Sequence, residues 1–375
     1  MKVLQNKCGN GLAFAILTIF VLVYAPMSFE YFFKYFNDNS PQLWNHFFKF
    51  FVGEKHALGY GSVDFSQHTA YVSSRVSMLI HTMGGGIVIL ISCLQFYRTF
   101  RLRHPKVHRV LGYIQVFLVT ATMFGAISYL IKTGPTNTYN GLAFYLQLWL
   151  LAIGTLLSSY LAIFAIIKKQ VLIHQTLMIF NFSLLLSAPV LRLEWLFIGQ
   201  IPNITQETSN LFSALIYGYL AVPCAILISR HIDFRYKFLN PTVRSNSNLA
   251  KIIGKFSLLT SILIIALYYR EQNGFDAFFI VTIVLSLLTY LIFNILRLKA
   301  KKIDNEIAWL EWEIHCLSFK VIPLIALPSW LLLSNLISSE VAFHAVSLTI
   351  PALCFALGYF TMIWSRRVFI IKNSE

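Results

Sequence analysis

The feature that most constrains this chain is a series of apolar runs, each about 20 residues long, separated by short basic clusters. Ten runs qualify: 11–27, 76–97, 110–131, 141–166, 172–193, 210–229, 252–268, 276–296, 317–336 and 343–365. A helix rises about 1.5 Å per residue, so about 20 apolar residues match a hydrocarbon layer roughly 30 Å thick. The first run follows Lys2 and Lys7 but is long and lacks a small-x-small cleavage pattern, so it reads as an uncleaved anchor. The expected fold class is all-α: a polytopic integral membrane helix bundle of about ten transmembrane helices.

Composition points the same way. The chain is 57% hydrophobic and 12% charged, against about 25% charged in soluble domains. Its net charge of +15 does not imply nucleic acid, because the basic residues lie between the apolar runs, where insertion signals lie. Most of the 30 Lys and Arg residues fall on one side of the alternating spans, including Arg98, Arg101, Arg103, Lys106, Arg109, Lys168, Lys169, Arg297, Lys299 and Arg366. That side is expected to be cytoplasmic, with loops at 98–109, 167–171, 230–251 and 297–316, and an even number of spans returns both termini to it. The lipid-facing basic residues Arg101, Arg103 and Arg109 are expected to meet anionic headgroups there. None of the five cysteines forms a C-x-x-C pair, which favours small buried hydrophobes over a disulfide framework or zinc site.

Three segments are expected: an anchor with an aromatic-rich stretch over 1–64, a front bundle over 65–232 and a back bundle over 233–375. The polar connection 230–251 marks the boundary between the bundles. The stretch 28–70 holds Phe29, Tyr31, Phe32, Phe33, Tyr35 and Phe36, then Trp44, Phe47, Phe48, Phe50 and Phe51. Rings of this density favour the headgroup layer, so short helices lying on the outer leaflet are expected, with a lid over an outward-facing site as the alternative.

Ionisable residues inside spans cost about 2.5–3.5 kcal/mol on insertion scales, so each needs a partner or a purpose. The front bundle holds His81, Arg192, Glu194, His108 and His174, whereas the back bundle offers almost nothing at membrane depth except Lys320. His81 precedes Gly84-Gly85-Gly86, which suits either close helix packing or room for a flat cofactor. Counting at 100° per residue, Gln95 follows His81 on one face, and His174 and Arg192 share a face five turns apart. Two clusters follow. An outer ligand-binding one comprises His81, Arg192, Arg75 and Glu194. An inner one comprises His108, His174 and Gln95.

The stretch from about 65 to 232 resembles a family of bacterial multi-spanning proteins catalogued only as a domain of unknown function. The resemblance rests on His81, Gly84-Gly85, Gln95-Phe96, Arg103, Pro105, His108-Arg109, Gly112, Trp149, Lys168-Lys169, His174, Met178 and Leu191-Arg192-Leu193. It implies a multi-pass protein of the bacterial inner membrane and locates sites without naming a reaction. Ser92-Cys93-Leu94 and Gln175-Thr176-Leu177 depart from the family pattern.

Three functional classes fit these residues. In the first, the outer cluster binds an anionic small molecule or lipid, as in transport, with Arg192 presenting a bidentate donor fork. Pro189, Pro223, Pro323 and Pro328 would suit broken helices. In the second, His108 and His174 are axial ligands of haem b. In the third the protein is a membrane enzyme or an assembly factor, although neither an H-E-x-x-H nor a G-x-S-x-G motif occurs. No metal site is expected.

Overall fold

In the computed structural model, residues 7–37, 40, 42–233 and 247–372 are described. The described chain is all-helical. It begins with α1 (Lys7–Met27), which runs through a 3-10 turn, Ser28–Glu30, into α2 (Tyr31–Lys34). Three short helices follow, α3 (Leu43–Val52), α4 (Glu54–Leu58) and α5 (Val63–Ser73). Then come α6 (Arg75–Phe96), α7 (Arg98–Arg103), α8 (Pro105–Asn137), α9 (Gly141–Ile167), α10 (Val171–Leu185) and α11 (Ser187–Ile198). The rest is α12 (Gln206–Asp233), α13 (Ser247–Gln272), α14 (Ala277–Lys302), α15 (Glu306–Ser334) and α16 (Ser339–Lys372).

Among the described residues, nine helices are long and apolar enough to cross a membrane, and α10 with α11, bent by 45° between them, counts as a tenth where the pair is taken as one span. Each of the ten apolar runs has its counterpart. The stretch 297–316 differs from expectation, because α14 continues to Lys302 and α15 already starts at Glu306, leaving only Ile303–Asn305 between them. Asn305 caps α15 by accepting from the Ala308 amide at 3.0 Å. Most of the connection 230–251 lies outside the described residues.

The chain divides into two compact units: Met1–Tyr139 with Ala152–Tyr160 and Leu185–Ser209, and Asn140–Leu151 with Leu161–Leu184 and Asn210–Glu375. In the first unit α6 packs along α8 and against α1 and α2, while α3 rests on α11. Local chemistry sets these elements. His104 precedes Pro105 and leaves the helical region (φ −127°, ψ 59°), so α7 ends there and α8 starts with proline in its first turn. Two glycines of α6 serve packing: a side chain at Gly84 would run into the Thr122 methyl, and one at Gly86 would meet Ser28 and the Ala25 carbonyl, while Gly85 faces open space.

Pro223, Pro323 and Pro328 sit inside continuous helices and break nothing. Neighbouring groups can satisfy a carbonyl freed by proline within a bundle. The interruption falls instead at Leu186 (φ −77°, ψ 2°), just before Pro189 enters the first turn of α11.

The aromatic stretch does form short helices, and they are two-sided. Phe33, Phe36, Phe50 and Phe51 are exposed, whereas Tyr35 and Phe48 are buried. Phe48 forms a small core with Ala57 and Trp195 of α11. His56 donates through Nδ1 to the Ile204 carbonyl at 3.1 Å, and Gln200 donates to the Phe51 carbonyl at 2.5 Å. The segment α3–α4 therefore packs on α11.

The second unit packs α15 against α16, α13 and α14. It contains a polar network that periodicity did not reveal. Arg366 grips Glu311 bidentately, with Nε to Oε1 at 2.7 Å and a terminal nitrogen to Oε2 at 3.1 Å, both side chains being 2% exposed. Arg297 pairs with Glu313 at 2.6 Å and donates to Asn294 at 2.8 Å. Cys93, Cys316 and Cys354 are buried free thiols, and Cys224 is an exposed one.

Candidate functional site: an arginine in a tyrosine cage

The site grows from Arg192 on α11. One guanidinium nitrogen donates to the Ala188 carbonyl one turn back at 3.2 Å, and the other donates to the Tyr31 hydroxyl at 3.2 Å. The charge lies over two rings, 5.7 Å from the centroid of Tyr24 and 5.5 Å from that of Trp195. Trp195 is three residues on along α11, so the two side chains share a helix face. Among the described residues, no carboxylate reaches Arg192. Aromatic faces and neutral oxygens hold this cation in place of a counter-charge.

Tyrosines extend the cage away from the guanidinium. Tyr31 and Tyr35 are four residues apart, with centroids 5.4 Å from each other. Tyr35 reaches Tyr71 of α5 at 6.3 Å, and Tyr71 reaches Tyr129 of α8 at 5.5 Å. Tyr129 donates to Gln67 at 3.0 Å. Burial holds the Tyr71 phenol well above its ordinary pKa and raises that of Tyr35, so both are neutral hydroxyl donors at physiological pH. Lys34 closes one edge, buried and ion-paired with Asp64. A small crevice beside Tyr31 is lined by Met27, Glu30, Lys34, Gln42 and Trp44.

Two buried donors in this cage have no acceptor. Among the described residues, the Tyr35 hydroxyl and the Trp195 indole nitrogen are both without a hydrogen-bond partner, on side chains 2% and 6% exposed. Leaving such a group unpaired costs about 1–3 kcal/mol.

Of the expected outer cluster, His81 donates through Nδ1 to the Thr122 carbonyl at 3.1 Å, and Arg192 donates to the Ala188 carbonyl and the Tyr31 hydroxyl. Arg75 is exposed and lies over the Phe36 ring at 5.5 Å. Glu194 follows Arg192 by two residues, a step of about 200° that puts it on the far side of α11. Its Oε2 is buried without a partner.

Of the expected inner cluster, Gln95 and His108 come together through the backbone, Gln95 donating to the His108 carbonyl at 2.9 Å. His174 belongs to the second unit, where its Nδ1 donates to the Ala162 carbonyl at 2.9 Å. The face shared by His174 and Arg192 does not exist, because the break at Leu186 puts them on separate helices. Arg103 and Arg109 are exposed and Arg101 is half-buried.

Sequence reasoning missed Tyr24, Tyr31, Tyr35, Tyr71 and Trp195. The signal was present: Tyr31 and Tyr35 share a helix face that Phe32, Phe33 and Phe36 do not, and Trp195 follows Arg192 by three. Residues 78–229 match the model of a family described as predicted membrane protein (DUF2306). The match takes in His81, Tyr129, Arg192 and Trp195, while Tyr24, Tyr31, Tyr35 and Tyr71 lie before it. No curated protein and no solved structure matches the chain.

Proposed function

We propose that the first unit binds an anionic group, a carboxylate or phosphate carried by a small molecule or a lipid, in the cage around Arg192. The observation that carries this reading is a cation without a carboxylate partner among the described residues, flanked by two buried donors that are unsatisfied among them, Tyr35 hydroxyl and Trp195 Nε1. All three groups donate, and an oxyanion supplies only acceptors. The guanidinium fork adds a geometry that a carboxylate or phosphate matches with two oxygens. The low polarity of an aromatic cage strengthens each of these contacts relative to water.

The helices α3 and α4 fit this reading as a cover. They dock on α11 through Phe48 and Trp195, beside the face that carries Arg192. Binding of this kind is the step common to lipid handling and to transport of a charged solute.

The test is calorimetric titration of the detergent-solubilised protein with inorganic phosphate and with hexanoate. The wild type should give saturable binding of at least one of them. Arg192→Gln should abolish it while the melting temperature stays within a few degrees of wild type. No binding of either anion, or equal binding by the variant, contradicts the reading.

A further inference from the structure

The helix α3 (Leu43–Val52) is apolar on two sides at once. Counted at 100° per residue, Leu43, Phe47, Phe50 and Phe51 fall within an arc of about 100°. All four are exposed, Phe50 to 82%. Trp44, Phe48 and Val52 occupy the next arc of about 80°, and these are the residues packed with Ala57 and Trp195. Asn45, His46 and Lys49 fill the remaining arc. One side of the helix therefore holds the protein, a second is apolar and bare, and a third is polar. A contiguous bare stripe of large apolar side chains marks a surface that meets a partner or a membrane.

The chain itself sets what lies against the stripe. Met27, Glu30 and Tyr31 keep helical backbone angles, so α1 passes into α2 and the first apolar span extends to Lys34. The second span begins at Arg75. Residues 35–74 thus leave one membrane face and return to the same face. Gln200, just past the end of α11, adds a third tie by donating to the Phe51 carbonyl at 2.5 Å. That tie holds α3 at the level where α11 ends, and Phe197 in the last turn of α11 is exposed as well. A helix fixed beside the ends of three others, with a bare apolar stripe and a polar side, has the build of a segment lying in the interface plane. Aromatic rings favour that layer.

We propose that α3 lies in the plane of the bilayer, with Leu43, Phe47, Phe50 and Phe51 inserted at the acyl–headgroup boundary of the leaflet in which α1 ends, and with Asn45, His46 and Lys49 turned toward water. The same helix then touches lipid with one side and, through Phe48, touches Trp195 with another. This surface is independent of the anion reading and stands or falls without it.

The experiment is site-directed spin labelling of the full chain in phosphatidylcholine vesicles. The background carries Cys8→Ser and Cys224→Ser, since Cys93, Cys316 and Cys354 are buried. Labels are placed one at a time at Phe47→Cys, Phe50→Cys, His46→Cys and Glu54→Cys, and collisions with dissolved oxygen and with a water-soluble nickel chelate are read for each. Glu54 is the water-facing reference, its side chain being 70% exposed. Labels at Phe47 and Phe50 should lose access to the chelate and gain access to oxygen relative to Glu54, whereas a label at His46 should follow Glu54. Chelate access at Phe50 equal to that at Glu54 overturns the inference. Low access to both reagents at Phe50 overturns it too, because protein then covers the stripe. A label at His46 as shielded from the chelate as one at Phe50 overturns the in-plane orientation. None of these outcomes bears on anion binding, which the Arg192→Gln titration decides separately.

Discussion

Arg192 and Tyr31 are 161 residues apart in sequence and 3.2 Å apart in space, and the guanidinium donates to the phenol oxygen. This contact joins the end of the first span to the second half of a broken one. It also decides the character of the site, since the arginine is steadied by a neutral oxygen and two rings and, among the described residues, no local carboxylate quenches its charge.

Tyr31 and Tyr35 should therefore respond in opposite ways to loss of their hydroxyls. Tyr31→Phe removes a hydrogen bond to a charged donor and should lower stability by about 1.5–3 kcal/mol. Tyr35→Phe removes a buried hydroxyl without a partner and should leave stability unchanged or raise it by about 1 kcal/mol. Thermal unfolding of both variants in one detergent checks the contrast. Equal destabilisation would mean that Tyr35 already has a protein partner.

The site and the fold were legible to different degrees. Spans announce themselves through length, because a run of about 20 apolar residues is what a bilayer-crossing helix needs and a water-soluble helix rarely holds. The expected inner cluster also grouped Gln95 with His108, whose carbonyl accepts from the Gln95 amide. Two things defeated the helical period. A period cannot be continued across Leu186, where the backbone leaves the helix, so His174 and Arg192 were aligned on one face wrongly. The tyrosines of the cage fell in a stretch read as an interfacial belt, where a ring facing inward and a ring facing lipid have the same composition. Glu311 was hidden for a related reason: it lies before the apolar run of α15, in what read as a loop.

The Glu311–Arg366 pair offers a test in the second unit. With both side chains 2% exposed, removing one partner strands the other charge, and Glu311→Gln should cost about 3–5 kcal/mol. The double variant Glu311→Leu with Arg366→Met should recover much of that loss, because no charge is left buried. Unfolding midpoints of the single and double variants supply the comparison, and additive losses would count against a mutual pairing.

The docking of α3 and α4 on α11 should be separable from the fold as a whole. Phe48→Ala opens a cavity between Ala57 and Trp195 and should make the turns at Gly53 and Gly61 several-fold more sensitive to limited proteolysis. Acid should act in the same direction. Burial lowers the pKa of His56 below its ordinary value, although its bond to Ile204 opposes this. The undocked segment therefore binds the proton more readily than the docked one, and docking weakens as the pH falls below about 6.5. Cleavage at pH 5.5 should exceed that at pH 7.5, and His56→Gln should flatten the difference.

Orientation is open to a direct check. The basic clusters predict that the segment around residue 240 faces the cytoplasm and the turn at Asn203 faces away. A reporter active only in the cytoplasm should give signal when fused after residue 240 and none when fused after residue 203. The reverse pattern would put the Arg192 cage at the cytoplasmic end.

The central claim is that Arg192 recognises an oxyanion through its fork, and Arg192→Lys isolates it. Lysine keeps the charge and loses the paired donors. Titration of this variant with the anion that binds wild type should show affinity weakened by about tenfold or more, with a melting temperature within a few degrees of wild type. Unchanged affinity, or a loss that only tracks unfolding, would contradict the account and leave Arg192 a structural residue.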